Sequence, residues 1–162
     1  MGRPTKLKSL LVLGETLTTT TTLTHSDSGK TFYLSADTEF VTTLPTPKNG
    51  CEFTFVVSQA PSGASYTIVT ANTAYIIHGQ ILTSGDGNAA DFSTVSGSTV
   101  ITFATGVAIV GDRLTMISDG TNWYVSGACS AYNAETMTIS HSVSPSLSPS
   151  LSPSLSPSVS PT

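Results

Sequence analysis

The stretch Arg113-Leu114-Thr115-Met116-Ile117-Ser118-Asp119-Gly120-Thr121-Asn122-Trp123-Tyr124-Val125 decides the fold. It reads as two strands joined by a tight turn at Asp119-Gly120, residues that tolerate the positive φ such turns need. Leu114 and Met116 share one side of the first strand, and Trp123 and Val125 share one side of the second. Trp123 is the only tryptophan of the chain, and a small β domain with few aromatics anchors its core on such a ring. Neighbouring strand positions face opposite ways, so Trp123 is expected inside and Tyr124 at an interface.

Working outward, Cys51–Ser58 alternates most cleanly, with Cys51, Phe53, Phe55 and Val57 inward and Glu52, Thr54 and Ser58 outward. Asn49-Gly50 before it is a turn pair, and Pro61-Ser62-Gly63 after it is another. Thr31–Leu34 places Phe32 and Leu34 on one face. Glu39–Leu44 follows and ends at Pro45 and Pro47. Tyr66–Thr70, Tyr75–Ile77, Thr99–Phe103 and Val107–Val110 complete the predicted strands, and Ser84–Asp91 reads as a Gly-rich loop. No stretch has a helical period of useful length, and helix formers are scarce. The expected fold is all-β: a small antiparallel sandwich or barrel-like domain.

That domain spans residues 25–132. Residues 1–24 read as an extended arm, from the apolar Leu10–Leu13 and the Thr18–Thr22 run, that pairs with something rather than standing alone. Residues 133–162 are a linker and a repeat, in which Ser-Val-Ser-Pro and Ser-Leu-Ser-Pro units run from Ser142. Composition alone makes this tail a disordered segment or a stiff polyproline-type stalk. In extended form, Leu147, Leu151 and Leu155 share one face with the prolines and serines occupy the other. Such a strand could also add to a neighbour's sheet edge, with proline blocking further growth.

The 162 residues carry 10% charged side chains and a net charge of −4, against roughly 25% charge in an ordinary globular protein. Thr, Ser, Asn and Gly must cover the surface, which suits a densely packed assembly. With no polybasic block, nucleic acid is not an expected partner. No apolar run is long enough to span a membrane. Residues 6–13 imitate a signal peptide, but the apolar part is short and Glu15 closes it. Cys51 and Cys129 are too few for a disulfide scaffold; one bridge between them is open, and two independent thiols is the favoured reading.

Candidate chemistry is thin. Gly29-Lys30-Thr31 resembles the end of a phosphate loop, but position 24 is Thr and a strand, not a helix, follows. Lys30 therefore reads as a solvated turn residue. His25, Ser26 and Asp27 are the residue types of a hydrolase triad, yet adjacent residues cannot build that geometry alone, and the Gly-x-Ser-x-Gly elbow is absent. His78 reads as a half-buried strand residue and His141 as linker. Three scattered histidines do not form a metal site. Asp86-Gly87-Asn88 with Asp91 offers oxygens to a cation but reads first as a loop. Neither a cofactor nor a metal is expected. Arg3, Lys6 and Lys8, the basic end of the arm, could touch an acidic neighbour.

From Leu44 to Gly127 the chain resembles a module of tailed-phage structural proteins, found in head decoration proteins and head or tail fibres. The resemblance rests on Leu44-Pro45, Asn49-Gly50, Phe53–Val57, Tyr66–Thr70, Ile77 with Gly79, Gly111-Asp112 and Ser118–Val125. It implies an all-β domain that trimerises on the outer surface of the virion, and it supplies no catalytic residues. The expected function is thus non-enzymatic: a cement protein that binds the major capsid protein as a homotrimer. The alternatives are a fibre module contacting host-surface glycans through the Gly-rich loop and Tyr124, and a cell-surface adhesive domain on a Ser/Pro stalk. The expected contact residues are Arg3, Lys6, Lys8, Tyr124, Leu147, Leu151 and Leu155.

Overall fold

A computed structural model describes residues 13–84 and 90–130. Eleven strands follow in chain order: β1 Gly14–Leu17, β2 Thr21–Thr22, β3 Thr31–Leu34, β4 Phe40–Thr43, β5 Glu52–Val57, β6 Tyr66–Val69, β7 Ile77–Ser84, β8 Ala90–Ser98, β9 Val100–Phe103, β10 Arg113–Ser118 and β11 Trp123–Cys129. One short 3₁₀ turn covers His25–Asp27. The strands form a seven-stranded sheet in the order β1-β3-β5-β10-β11-β7-β8 and a four-stranded sheet in the order β2-β4-β6-β9. The all-β expectation holds.

The expectation of an antiparallel domain does not. From β1 to β6 the chain alternates between the two sheets, so each new strand lies parallel to the one laid down a turn earlier. Residues 14–69 thus wind as a coil of three rungs. A tight hairpin forces antiparallel pairing, whereas a connection that crosses to the opposite sheet and back permits parallel pairing. Antiparallel pairs appear where the chain turns directly back or meets the coil from the other side: β10 with β11, β10 with β5, β7 with β8, and β6 with β9. The β10–β11 hairpin joins the coil, through β5, to β7 and β8.

The coil also corrects the arm boundary. Residues 14–17 and 21–22 are strands of the two sheets, and Leu17 and Leu23 are buried in the core. The domain therefore begins well before residue 25. Residues 1–12, and the tail from residue 131 with its repeat, lie outside the described residues.

Alternation places the core as read. Cys51, Phe53, Phe55, Val57, Phe32, Leu34, Leu114, Met116, Trp123 and Val125 are all buried. Phe32 and Phe55 are register partners whose rings stack at 5.7 Å, and Phe53 lies 5.6 Å from Trp123. From the other sheet, Phe40 stacks on Tyr66 at 4.7 Å. The buried Tyr66 hydroxyl donates to the Ala36 carbonyl at 2.7 Å, so its polar end is satisfied. The inner faces of both sheets share one cluster.

Three local expectations change. The strand expected at Tyr75–Ile77 starts at Ile77 and runs to Ser84, and β8 occupies 90–98, where no strand was expected. Residues 107–110 form a turn, not a strand. Gly106 and Gly111 flank it with φ of 75° and 102°, the Asp112 carboxylate accepts from the Ile109 N–H at 3.1 Å, and of Ile109 and Val110 neither is buried. Cys51 and Cys129 are both free and buried.

Candidate functional site

The register fixes which side chains face out from the seven-stranded sheet. A central row holds Thr31, Thr54, Thr115, Ser126, Gln80 and Thr94. On one side of it lies the row Glu52, Ile117, Tyr124, His78 and Ser96; on the other, Tyr33, Val56, Arg113, Ala128, Leu82 and Phe92. Glu52 and Arg113 are the only ionised side chains in these rows. Tyr33, Leu82, Ile117 and Tyr124 are large apolar groups left between 36% and 45% exposed.

Tyr124 sits at the end of the sheet where the Asn49-Gly50 and Asp119-Gly120 turns lie side by side. Gly50 and Gly120 take φ of 77° and 98° there, and the Gly50 N–H donates to the Ser118 carbonyl at 2.9 Å. Asp119 organises its own turn: its Oδ1 accepts from the N–H groups of Thr121 at 2.7 Å and Asn122 at 2.8 Å. Those donors, Asn122 foremost, hold its carboxyl below the usual carboxylate range. The Tyr124 hydroxyl donates to Asp119 Oδ2 at 2.9 Å. That bond to a carboxylate raises the phenol above its ordinary value. The ring is thereby held against the sheet, with the His78 ring 6.2 Å away. Trp123, one residue earlier, is fully buried, so the two aromatics divide between core and surface.

Chain direction gives this sheet two unlike ends. β1, β3, β5, β7 and β11 all start at the turn end. The described chain enters there, at Leu13. It leaves from the opposite end, at Ser130, a strand length of roughly 20 Å away. Arg3, Lys6 and Lys8 precede the first point and Leu147, Leu151 and Leu155 follow the second; all six lie outside the described residues.

The other candidates fall in structural roles. Asp27 Oδ2 accepts from the Thr24 N–H at 2.9 Å and the Thr24 hydroxyl at 2.7 Å, and closes the His25–Asp27 turn. Lys30 is not simply solvated: its Nζ lies 2.7 Å from Asp27 Oδ1 and 2.8 Å from Glu15 Oε2. The pairing with Lys30, with help from Thr24, lowers the Asp27 pKa to about 2, and the same pairing raises that of Lys30. His25 Nε2 lies 2.8 Å from the Thr46 carbonyl oxygen, beside a pocket of about 160 Å³ lined also by Lys48 and Asn49. His78 is half-buried on β7, as read. Asp86, Gly87, Asn88 and His141 lie outside the described residues, as does the side chain of Asp91. Among the described residues, no three His, Cys, Asp or Glu side chains converge as metal ligands, and no helix is long and apolar enough to cross a membrane.

One residue that sequence reasoning passed over is Asp112. Its carboxylate is buried at the far end of the sheet and accepts from the backbone N–H groups of Ile109 and, at 2.7 Å, Ser130. It ties the 107–112 turn to the end of β11 beside a pocket of about 280 Å³. Burial, aided by the Asp112 charge, pushes the neighbouring Cys129 thiol up to about 12. The Gly111-Asp112 dipeptide was the only signal. Among the described residues, the outer face of the seven-stranded sheet is broad and nearly uncharged, with half-exposed apolar groups along it. Compared with protein-family models, curated proteins and solved structures, the chain matches none.

Proposed function

We propose that this chain is a non-enzymatic virion structural protein: a decoration, or cement, protein that binds the outer surface of a phage capsid as a homotrimer. The observation that carries the reading is the nearly uncharged outer face of the seven-stranded sheet, with Tyr124 and Ile117 at 44% and 45% exposure. Half-exposed aromatics and apolar groups on a charge-poor face are what an interface core uses. The opposed chain ends add support. The described chain begins at the turn end and finishes at the opposite end of the sheet, so the segments that precede and follow it attach at opposite ends. The mechanism is adhesive. A trimer straddling capsid subunits buries surface from each of them and raises the cost of separating them.

Copy number tests this. Quantitative mass spectrometry of purified particles should find hundreds of copies each, and particles stripped of the protein should lose heat resistance. Stripped particles of unchanged heat resistance would refute the cement role.

A second reading, a head or tail fibre module, is favoured by one specific feature. The exposed Tyr124 ring lies beside Asp119 and Asn122, an aromatic with flanking polar groups of the kind that stacks on a sugar. Tens of copies per particle, with host-surface glycan binding lost in Tyr124→Ala, would select it.

A further inference from the structure

We propose that the outer face of the seven-stranded sheet is a two-fold contact between copies of this chain. The argument comes from register. Glu52 pairs with Ile117, and Arg113 pairs with Val56, on the adjacent antiparallel strands β5 and β10. The two ionised groups therefore stand at opposite ends of one strand pair, about 13 Å apart along the strands. Midway lies Thr54 opposite Thr115, with their hydroxyl oxygens 3.4 Å apart. Among the described residues neither Glu52 nor Arg113 has an ion-pair partner, although both are exposed.

A two-fold axis lying along the central Thr/Ser row, across the strands, exchanges the two outer rows. It brings Glu52 of each copy within one strand spacing of Arg113 of the other, twice over. A second copy is thus the partner that neutralises both charges, because an isologous contact must be complementary to itself. The same operation sets the Tyr124 ring over the small Ala128, and Leu82 opposite His78. The Thr/Ser row meets its own copy without charge. Face-to-face sheets with strands aligned to within about 30° are an ordinary packing mode. Seven strands at about 4.8 Å spacing give a face roughly 30 Å across, wide enough for a contact at the lower end of stable interface sizes.

This rests on the reading of that face as an interface core and deepens it by assigning the face to a second copy. In a cement protein it joins trimers to each other, does not close one, and leaves the capsid contact to another surface. Sedimentation equilibrium of the full chain separates the two. The two-fold contact appears as a doubling of mass with concentration, and the trimer as a factor of three. Arg113→Glu and Glu52→Arg should each weaken the doubling at least ten-fold, and the charge-swapped double variant should restore it. Ser126→Lys, which sets a charge against its own copy near the axis, should abolish it. All three positions are exposed, and an unchanged melting temperature in dilute solution checks that each variant folds. Absence of any doubling in the wild type, or failure of the double variant to recover what both single variants lost, would overturn the proposal. A doubling without the factor of three would leave it standing and remove the trimer.

Discussion

Gly79 offers the sharpest test of the packing. It sits inside β7 with φ of 146°, where its Cα faces the backbone of β11. A Cβ added there would overlap the Val125 carbonyl oxygen and come 2.9 Å from the Val125 carbonyl carbon. Two other glycines separate the contributions. Gly106 has a positive φ of 75° but open space around it; Gly127 has no positive φ, yet a Cβ there would overlap the Arg113 carbonyl oxygen and meet Leu114 Cδ2 at 2.8 Å. Gly106→Ala therefore bears backbone strain alone, about 1–2 kcal/mol. Gly127→Ala bears overpacking alone, about 1–3 kcal/mol. Gly79→Ala bears both, so about 2–5 kcal/mol, and it pushes apart the parallel β7–β11 pair that joins the two halves of the sheet. At roughly 4 °C per kcal/mol for a domain of this size, the melting temperature should fall about 8–20 °C for Gly79→Ala and about 4–8 °C for Gly106→Ala. Scanning calorimetry or urea denaturation reads the order directly. A Gly79→Ala variant no less stable than Gly106→Ala would refute the claim that β7 and β11 approach too closely for any side chain.

Other perturbations follow from single contacts. The buried Trp123 indole N–H has no hydrogen-bond partner among the described residues. Trp123→Phe therefore sacrifices packing without losing a bond and should cost about 1–2 kcal/mol in denaturant melts, against about 3–5 kcal/mol for Trp123→Ala. The Asp27 carboxyl is lowered from 3.8 to about 2 in the folded chain. A depressed carboxyl stabilises the fold above its unfolded value and loses that stabilisation as pH falls through the folded one. Wild type should therefore weaken between about pH 3.8 and pH 2 relative to Asp27→Asn, by no more than about 1 kcal/mol because the pair with Lys30 is partly solvated. Cys129, its thiol pushed up to about 12, should resist alkylation at pH 8 in the native protein and react within minutes in denaturant; ready reaction of the native thiol would contradict its burial.

The strands visible in the sequence were those whose inward positions are large and apolar. Phe53, Phe55 and Val57 announce β5; Leu114, Met116, Trp123 and Val125 announce the hairpin. β7 was hidden because one of its inward positions is Gly79, where the Val125 backbone leaves no room for a side chain. β8 was hidden because its inward positions include Ser93 and Ser98 with Val95, so alternation carries little contrast. Val107–Val110 misled in the opposite direction: a β-branched run between two positive-φ glycines turns whatever its propensity. Parallel pairing was illegible for another reason. Nothing in β1, β3 or β5 records that the chain visits the other sheet between them. At the surface, Tyr124 could be placed by parity with Trp123. The charge pattern of Glu52 and Arg113 has meaning only in a register that joins residues about sixty apart in the chain.

The place of the opening hairpin in the sheet bears on how the molecule is made. Its strands are the last of the described strands in sequence yet central in space, between the coil and the β7–β8 pair. A ribosome delivers the flanks first. Until residues 113–129 emerge, β5 and β7 each present an unpaired edge to the cell, and the seven-stranded sheet exists as two disconnected pieces. Folding must then finish by insertion of a keystone rather than by growth from one side, with contacts of long sequence separation closing late and slowly. A chain that stops short of Trp123 lacks the strand that bridges the pieces. Only a chain translated through Cys129 can complete the seven-stranded sheet, so the fold itself distinguishes a whole copy from a truncated one.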